Sequence, residues 1–93
     1  MLAKIPVNLD KLKKEDQDKE ILRVGLIAEL DAINLYEQLA SLTKNENIKK
    51  VLLDIAEEEK THVGEFLALL LKMDEEQVKE LEKGKKEVEE LSK

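Results

Sequence analysis

The chain holds a single histidine, and a glutamate stands three positions before it in Glu59-Lys60-Thr61-His62. On a helix, positions i and i+3 project from one face about one turn apart. A carboxylate and an imidazole presented together in this way are a pair of metal ligands. Read alone, the motif is weak. With 22 acidic residues among 93, an acid at that offset arises by chance about one time in four. A histidine in an apolar stripe is also commonly a packed core residue, and Glu59 could be the edge of the Glu57-Glu58-Glu59 run. A second carboxylate, Glu29, precedes Glu59 by thirty residues and lies in another apolar, helix-like segment.

The segments that position these residues read as all-α. Residues 1–15 are expected to be an N-terminal arm, because Pro6 and Asn8 oppose regular structure at its start. A first helix is expected over 16–43, with Asp16 or Asp18 as its cap. Leu22, Leu26, Ile33 and Tyr36 share a face with Glu29, while Ile27, Leu30 and Leu35 point elsewhere. A helix apolar over so much of its circumference must be covered on more than one side. Lys44-Asn45-Glu46-Asn47 is a short polar break, so the helices it joins are expected to be antiparallel neighbours, with Asn45 capping the second.

The second helix is expected over 46–72. Its stripe runs Ile48, Leu52, Ile55, Glu59, His62, Phe66, Leu69, Leu70 and Met73, passing straight through the two polar residues. Gly25 and Gly64 lie inside the two helices, where each costs about 1 kcal/mol relative to alanine; close approach between the helices is the expected return, with simple tolerance as the alternative. Asp74-Glu75-Glu76-Gln77 is a capping-box pattern opening a C-terminal helix over 75–92, with Val78, Leu81, Val88 and Leu91 as a narrow stripe. Gly84 either ends that helix early or is absorbed in it.

Counting from the break brings the chemistry together. Glu29 lies fifteen residues before Lys44, and Glu59 lies fifteen after it. Both helices rise about 1.5 Å per residue, so in an antiparallel hairpin the two carboxylates stand at one level, with His62 one turn further along. Two buried carboxylates at one level repel, and each disfavours burial; a divalent cation reverses both penalties. Carboxylates with one imidazole suit iron or manganese. Di-iron bundles use two single glutamates and two Glu-x-x-His motifs from four helices. This chain has one of each. A twofold dimer of hairpins supplies the full set, builds a four-helix bundle and covers the first helix's excess apolar surface.

The stretch Ala28-Glu29-Leu30-Asp31-Ala32-Ile33-Asn34-Leu35-Tyr36-Glu37-Gln38, followed by Glu57-Glu58-Glu59-Lys60-Thr61-His62, resembles the encapsulated ferritin-like proteins and, more distantly, rubrerythrins. The likeness covers residues 18–83 and rests on joint spacing. It implies a single ferritin-like domain over 1–93 and a ferroxidase that oxidises Fe²⁺ at a di-iron centre shared between two subunits. Glu29 and His62 are then terminal ligands, Glu59 a carboxylate able to bridge the irons, and Tyr36 a residue beside Glu29, against the alternative of an ordinary core tyrosine. The resemblance further implies dimers associating into a ring-shaped decamer inside an encapsulin shell that stores the oxidised iron. Some relatives carry additional acids that guide iron inward. Ala28 stands where one of them is expected, Asp31 stands at another, and Leu35 replaces an aromatic. Some archaeal relatives are fused to the shell protein, and the chain ending at Lys93 is consistent with a domain of that kind. Two alternatives stand beside this reading: a rubrerythrin-like di-iron peroxidase, and a non-enzymatic helical oligomerisation or metal-binding module.

Composition narrows the field. A net charge of −6 argues against nucleic acid or an anionic membrane surface as the main partner. The absence of cysteine removes disulfides, thiolate metal sites and cysteine nucleophiles, and suits a reducing cytoplasm. No apolar run approaches the ~20 residues that span a bilayer. Residues 1–6 are too short and too mixed for a signal peptide. Cytoplasmic residence, free or enclosed, is therefore expected. A charged fraction of 41%, rich in Glu and Lys, resembles hyperthermophile composition, though a long exposed helix gives the same bias. A chain this short has a marginal core unless a metal or a partner assists it.

Overall fold

The computed structural model describes residues 13–92, apart from the Glu15 side chain, and the described residues are helical almost throughout. Three helices follow one another: α1 (Lys14–Leu42), α2 (Glu46–Met73) and α3 (Glu75–Leu91). The expected arm lies outside the described residues except at its end, where α1 has already begun. Asp16 and Asp18 do not cap this helix. Lys13 occupies the cap position in an extended conformation with no side-chain cap. Its carbonyl accepts from the N–H groups of Asp16 and Gln17 at 2.9 and 3.0 Å. The aspartates lie inside the helix instead, where acidic side chains near its N-terminus favour the helix dipole.

The turn is built by polar side chains. Asn45 Oδ1 accepts from the N–H groups of Asn47 at 3.0 Å and Ile48 at 3.1 Å, satisfying two donors that α2 cannot satisfy internally. Thr43 Oγ1 accepts from the Asn45 N–H at 3.1 Å and fixes the approach to that cap. So short a connection makes α1 and α2 antiparallel neighbours.

The hairpin core consists of Leu22, Ile33 and Ala40 from α1 with Ala56 and Leu70 from α2. Each large aliphatic buried here contributes about 1.5–3 kcal/mol. The α2 contact face is narrower than the expected stripe: Ile48, Leu69 and Met73 remain exposed. One neighbouring helix covers only part of an apolar circumference. For the same reason Ile27 and Leu30 on α1 stay uncovered, Leu30 by more than half of its surface (54%). Of the two mid-helix glycines, Gly25 does sit at a close approach, against the Phe66 ring, whereas among the described residues nothing beyond its own helix backbone and chain neighbours lies within 4 Å of where a Gly64 side chain would begin.

At the far end of α2 the chain turns at Asp74, whose carboxylate accepts from the Gln77 N–H at 3.1 Å and caps α3. The other oxygen of that carboxylate accepts from Arg23 Nη2 at 3.0 Å, tying this corner back to α1. Gly84 is absorbed in α3, which has no buried residue of its own. No helix among the described residues is long and apolar enough to cross a membrane.

Candidate metal centre

Glu29 projects from the α1 face that also carries the buried Leu22 and Ile33. Glu59 and His62 project from α2 toward it. His62 Nδ1 lies 3.4 Å from Glu29 Oε1 and 3.4 Å from Glu59 Oε2. One ligand atom from each of the three side chains falls within 4.8 Å of the other two. The hairpin count thus brings together the residues it singles out. The carboxylates are well shielded, 18% and 19% exposed, whereas the imidazole is 43% exposed. The open side of the cluster is therefore at the histidine.

The cluster is unsatisfied as it stands. A separation of 3.4 Å is long for a hydrogen bond to nitrogen. A single ring nitrogen carries at most one proton, so two carboxylates compete for one donor. The second oxygen of Glu29, Oε2, is buried without any hydrogen-bond partner. A buried acceptor left in that state is costly, and buried polar groups in folded proteins are normally paired. A divalent cation among these atoms would satisfy the orphaned oxygen and cancel the repulsion between the carboxylates. Two oxygen donors and one nitrogen, without a thiolate, suit iron or manganese. By burial, convergence and donor chemistry, the three residues fit such an ion.

Tyr36 lies on α1 two turns beyond Glu29, half-buried, and is not among the three side chains whose ligand atoms converge. Asp31 is buried and engaged in an interaction of its own. Sequence reasoning overlooked Arg23, which holds the α2–α3 corner. It had a signal: it is the only arginine in a chain otherwise supplied with lysine. Arginine's rigid fork is the better partner for a shielded carboxylate.

A helical hairpin that sets one glutamate against a Glu-x-x-His pair is the half-unit of a ferritin-like fold. The chain belongs to the rubrerythrin family, whose sequence profile matches residues 20–93. It is 58% identical over 86 residues to a ferritin-like–encapsulin shell fusion protein of Pyrococcus furiosus, covering 92% of this chain and 25% of that protein. It is 41% identical over 56 residues to the encapsulin nanocompartment cargo protein EncC of Myxococcus xanthus, covering 60% of this chain and 43% of that one. The chain thus spans a quarter to under half the length of these relatives. Its fold matches the crystal structure of an encapsulated ferritin domain from Pyrococcus furiosus with a TM-score of 0.84 at 56% identity, over 98% of this chain and 95% of the other.

Proposed function

We propose that this chain is a ferroxidase whose substrate iron is oxidised at a di-iron centre shared between two copies of the hairpin. The observation that carries the reading is the cluster of Glu29, Glu59 and His62, with ligand atoms within 4.8 Å of one another and one glutamate oxygen buried without a partner. Three ligands are half of what a di-iron site uses, and the cluster's open side is where a second copy would bring the other half. The uncovered apolar residues of both helices give that copy a surface to bury.

In this reading Glu29 and His62 would hold iron as terminal ligands, and Glu59 would be the carboxylate able to reach both ions. Two Fe²⁺ give up one electron each, and with two protons from water these reduce one dioxygen to hydrogen peroxide or one hydrogen peroxide to two waters. Carboxylates favour the ferric product over the ferrous substrate through its higher charge. Leu22, Ile33 and the neighbouring apolar side chains limit water around the ligands, and Tyr36, two turns along α1, is assigned as an outer partner of Glu29 by the family resemblance alone. Among the described residues the buried core is five aliphatic side chains, which gives the hairpin no interior in which mineral could grow. The oxidised iron therefore accumulates outside the hairpin. The encapsulin association of the relatives supports a shell as that place, with the chain as cargo or as a domain joined to the shell protein; cytoplasmic residence and dimers that associate further into a ring of ten belong to the proposal alone. A rubrerythrin-like peroxidase on the same scaffold requires a source of electrons, and the chain has no cysteine with which to build a rubredoxin-type iron site.

The test is to load Fe²⁺ without oxygen and then admit air. Wild type oxidises iron rapidly. Glu59→Ala and His62→Ala are slower by at least about tenfold, since even outer-shell changes at metal sites cost that much. Equal rates in all three proteins would remove the ferroxidase reading. Sedimentation with and without metal tests the shared centre: the active species is at least a dimer, and a fully active monomer would contradict it.

A further inference from the structure

Gly25 and Phe66 bracket the metal cluster on the side away from the turn. Gly25 lies four residues before Glu29 on α1, and Phe66 lies four residues after His62 on α2, so each is one helical turn from a ligand. The ring lies directly on the glycine. A β-carbon at position 25 would meet Phe66 Cε1 at 2.9 Å, and Cδ1 and Cζ each at 3.1 Å. Turning the ring about its own axis does not relieve this, because Cζ lies on that axis and stays at 3.1 Å. Relief requires either a change at χ1, which a helix restricts, or a separation of the two backbones.

We propose that Gly25 and Phe66 form a spacer that fixes how closely α1 and α2 approach beside the cluster, and so set the distances among Glu29, Glu59 and His62. They are positioning residues. The part of the inference that concerns metal rests on the ferroxidase reading; the spacer itself does not. The missing side chain lets the ring act as a gauge between the helices, one turn from atoms that must converge on a single cation. Outer residues that hold ligands in place change metal affinity without touching the ion.

The experiment combines Gly25→Ala, Phe66→Leu and the double variant with Gly84→Ala as control, since among the described residues nothing beyond the helix's own backbone and the chain neighbours lies within 4 Å of a β-carbon at position 84. Thermal midpoints are measured on metal-free protein. An unobstructed glycine-to-alanine change in a helix raises the midpoint, on the order of 5 °C for a chain of this size, and Gly84→Ala shows that rise. Gly25→Ala lowers the midpoint instead, and in the Phe66→Leu background the same change regains its rise. Co²⁺ binding is then followed by visible absorption. Gly25→Ala binds about tenfold more weakly than wild type with an altered spectrum, the double variant recovers most of the affinity, and Gly84→Ala is unchanged.

A midpoint for Gly25→Ala that rises like that of Gly84→Ala would overturn the spacer. So would a double variant no better than the single one in midpoint, folding or affinity. Unchanged Co²⁺ affinity in a destabilised Gly25→Ala would reduce the pair to ordinary packing. Wild type that bound no Co²⁺ would count against the ferroxidase reading, while the thermal cycle would still decide the spacer.

Discussion

The three ligand candidates work against the stability of the chain that carries them. Glu29 and Glu59 both address His62 Nδ1 at 3.4 Å, and Glu29 Oε2 is buried with no partner. Removing that charge while keeping the shape should help the metal-free protein. Glu29→Gln is expected to stabilise it by about 1 kcal/mol, through loss of the like-charge repulsion between Glu29 and Glu59 rather than through satisfying the buried atom. The same variant loses the stabilisation that Co²⁺ confers on wild type, because binding to the folded state alone shifts the folding equilibrium. Denaturant titrations in chelator and in Co²⁺ measure both effects. A less stable metal-free Glu29→Gln would show that the carboxylate has a structural role the cluster does not reveal. The convergence of these residues was legible in the sequence because it depends on two regular quantities, the helical rise and the equal count from Lys44. The Arg23–Asp74 contact was not. It joins residues 51 apart, and no periodicity fixes how the corner after α2 faces α1.

At the scale of the elements, local chemistry carried most of the reading. Asn45 and Asp74 cap their helices as their positions suggested, since short polar side chains before an apolar run have few better uses. The start of α1 was misread for a physical reason. Asp16, Asp18 and Glu20 lie close together and all suit a first turn, so the pattern does not single out where the turn begins. The burial pattern of α2 was legible only in part: its stripe is wider than one neighbour can cover, and the sequence does not say which part α1 takes. The Asn45 cap is directly testable. Asn45→Ala leaves the Asn47 and Ile48 N–H groups without their acceptor and is expected to cost about 1 kcal/mol, read as a lower urea midpoint with an unchanged slope. Asn45→Asp keeps the acceptor and should retain most of the stability. A loss as large in Asn45→Asp as in Asn45→Ala would assign the effect to the turn rather than to the cap.

Over the whole molecule, the weak joint is the corner at Asp74. The α3 helix has no buried residue, so its placement relies on its first turn. There the Gln77 N–H, donated to Asp74, holds that carboxyl below its ordinary value; burial opposes the shift, and Lys19 and Arg23 add to it. Glu20 faces the same arginine from α1 at 3.8 Å, so the guanidinium is shared between two carboxylates. A carboxyl held low in the folded state binds its proton less readily there than in the unfolded chain. Its contribution is therefore complete above the unfolded value of about 3.9 and is lost as pH falls through the lower folded value. Asp74→Asn separates charge from capping, because asparagine is also a good cap but cannot pair with Arg23 as an anion. The variant is expected to be less stable than wild type at neutral pH, with the difference shrinking below about pH 4 as the wild-type carboxyl takes up its proton. Urea midpoints at neutral pH and in acid, at one protein concentration, measure this. A difference that stayed constant across that range would mean that the corner is held by the shape of the Asp74 side chain and not by its charge.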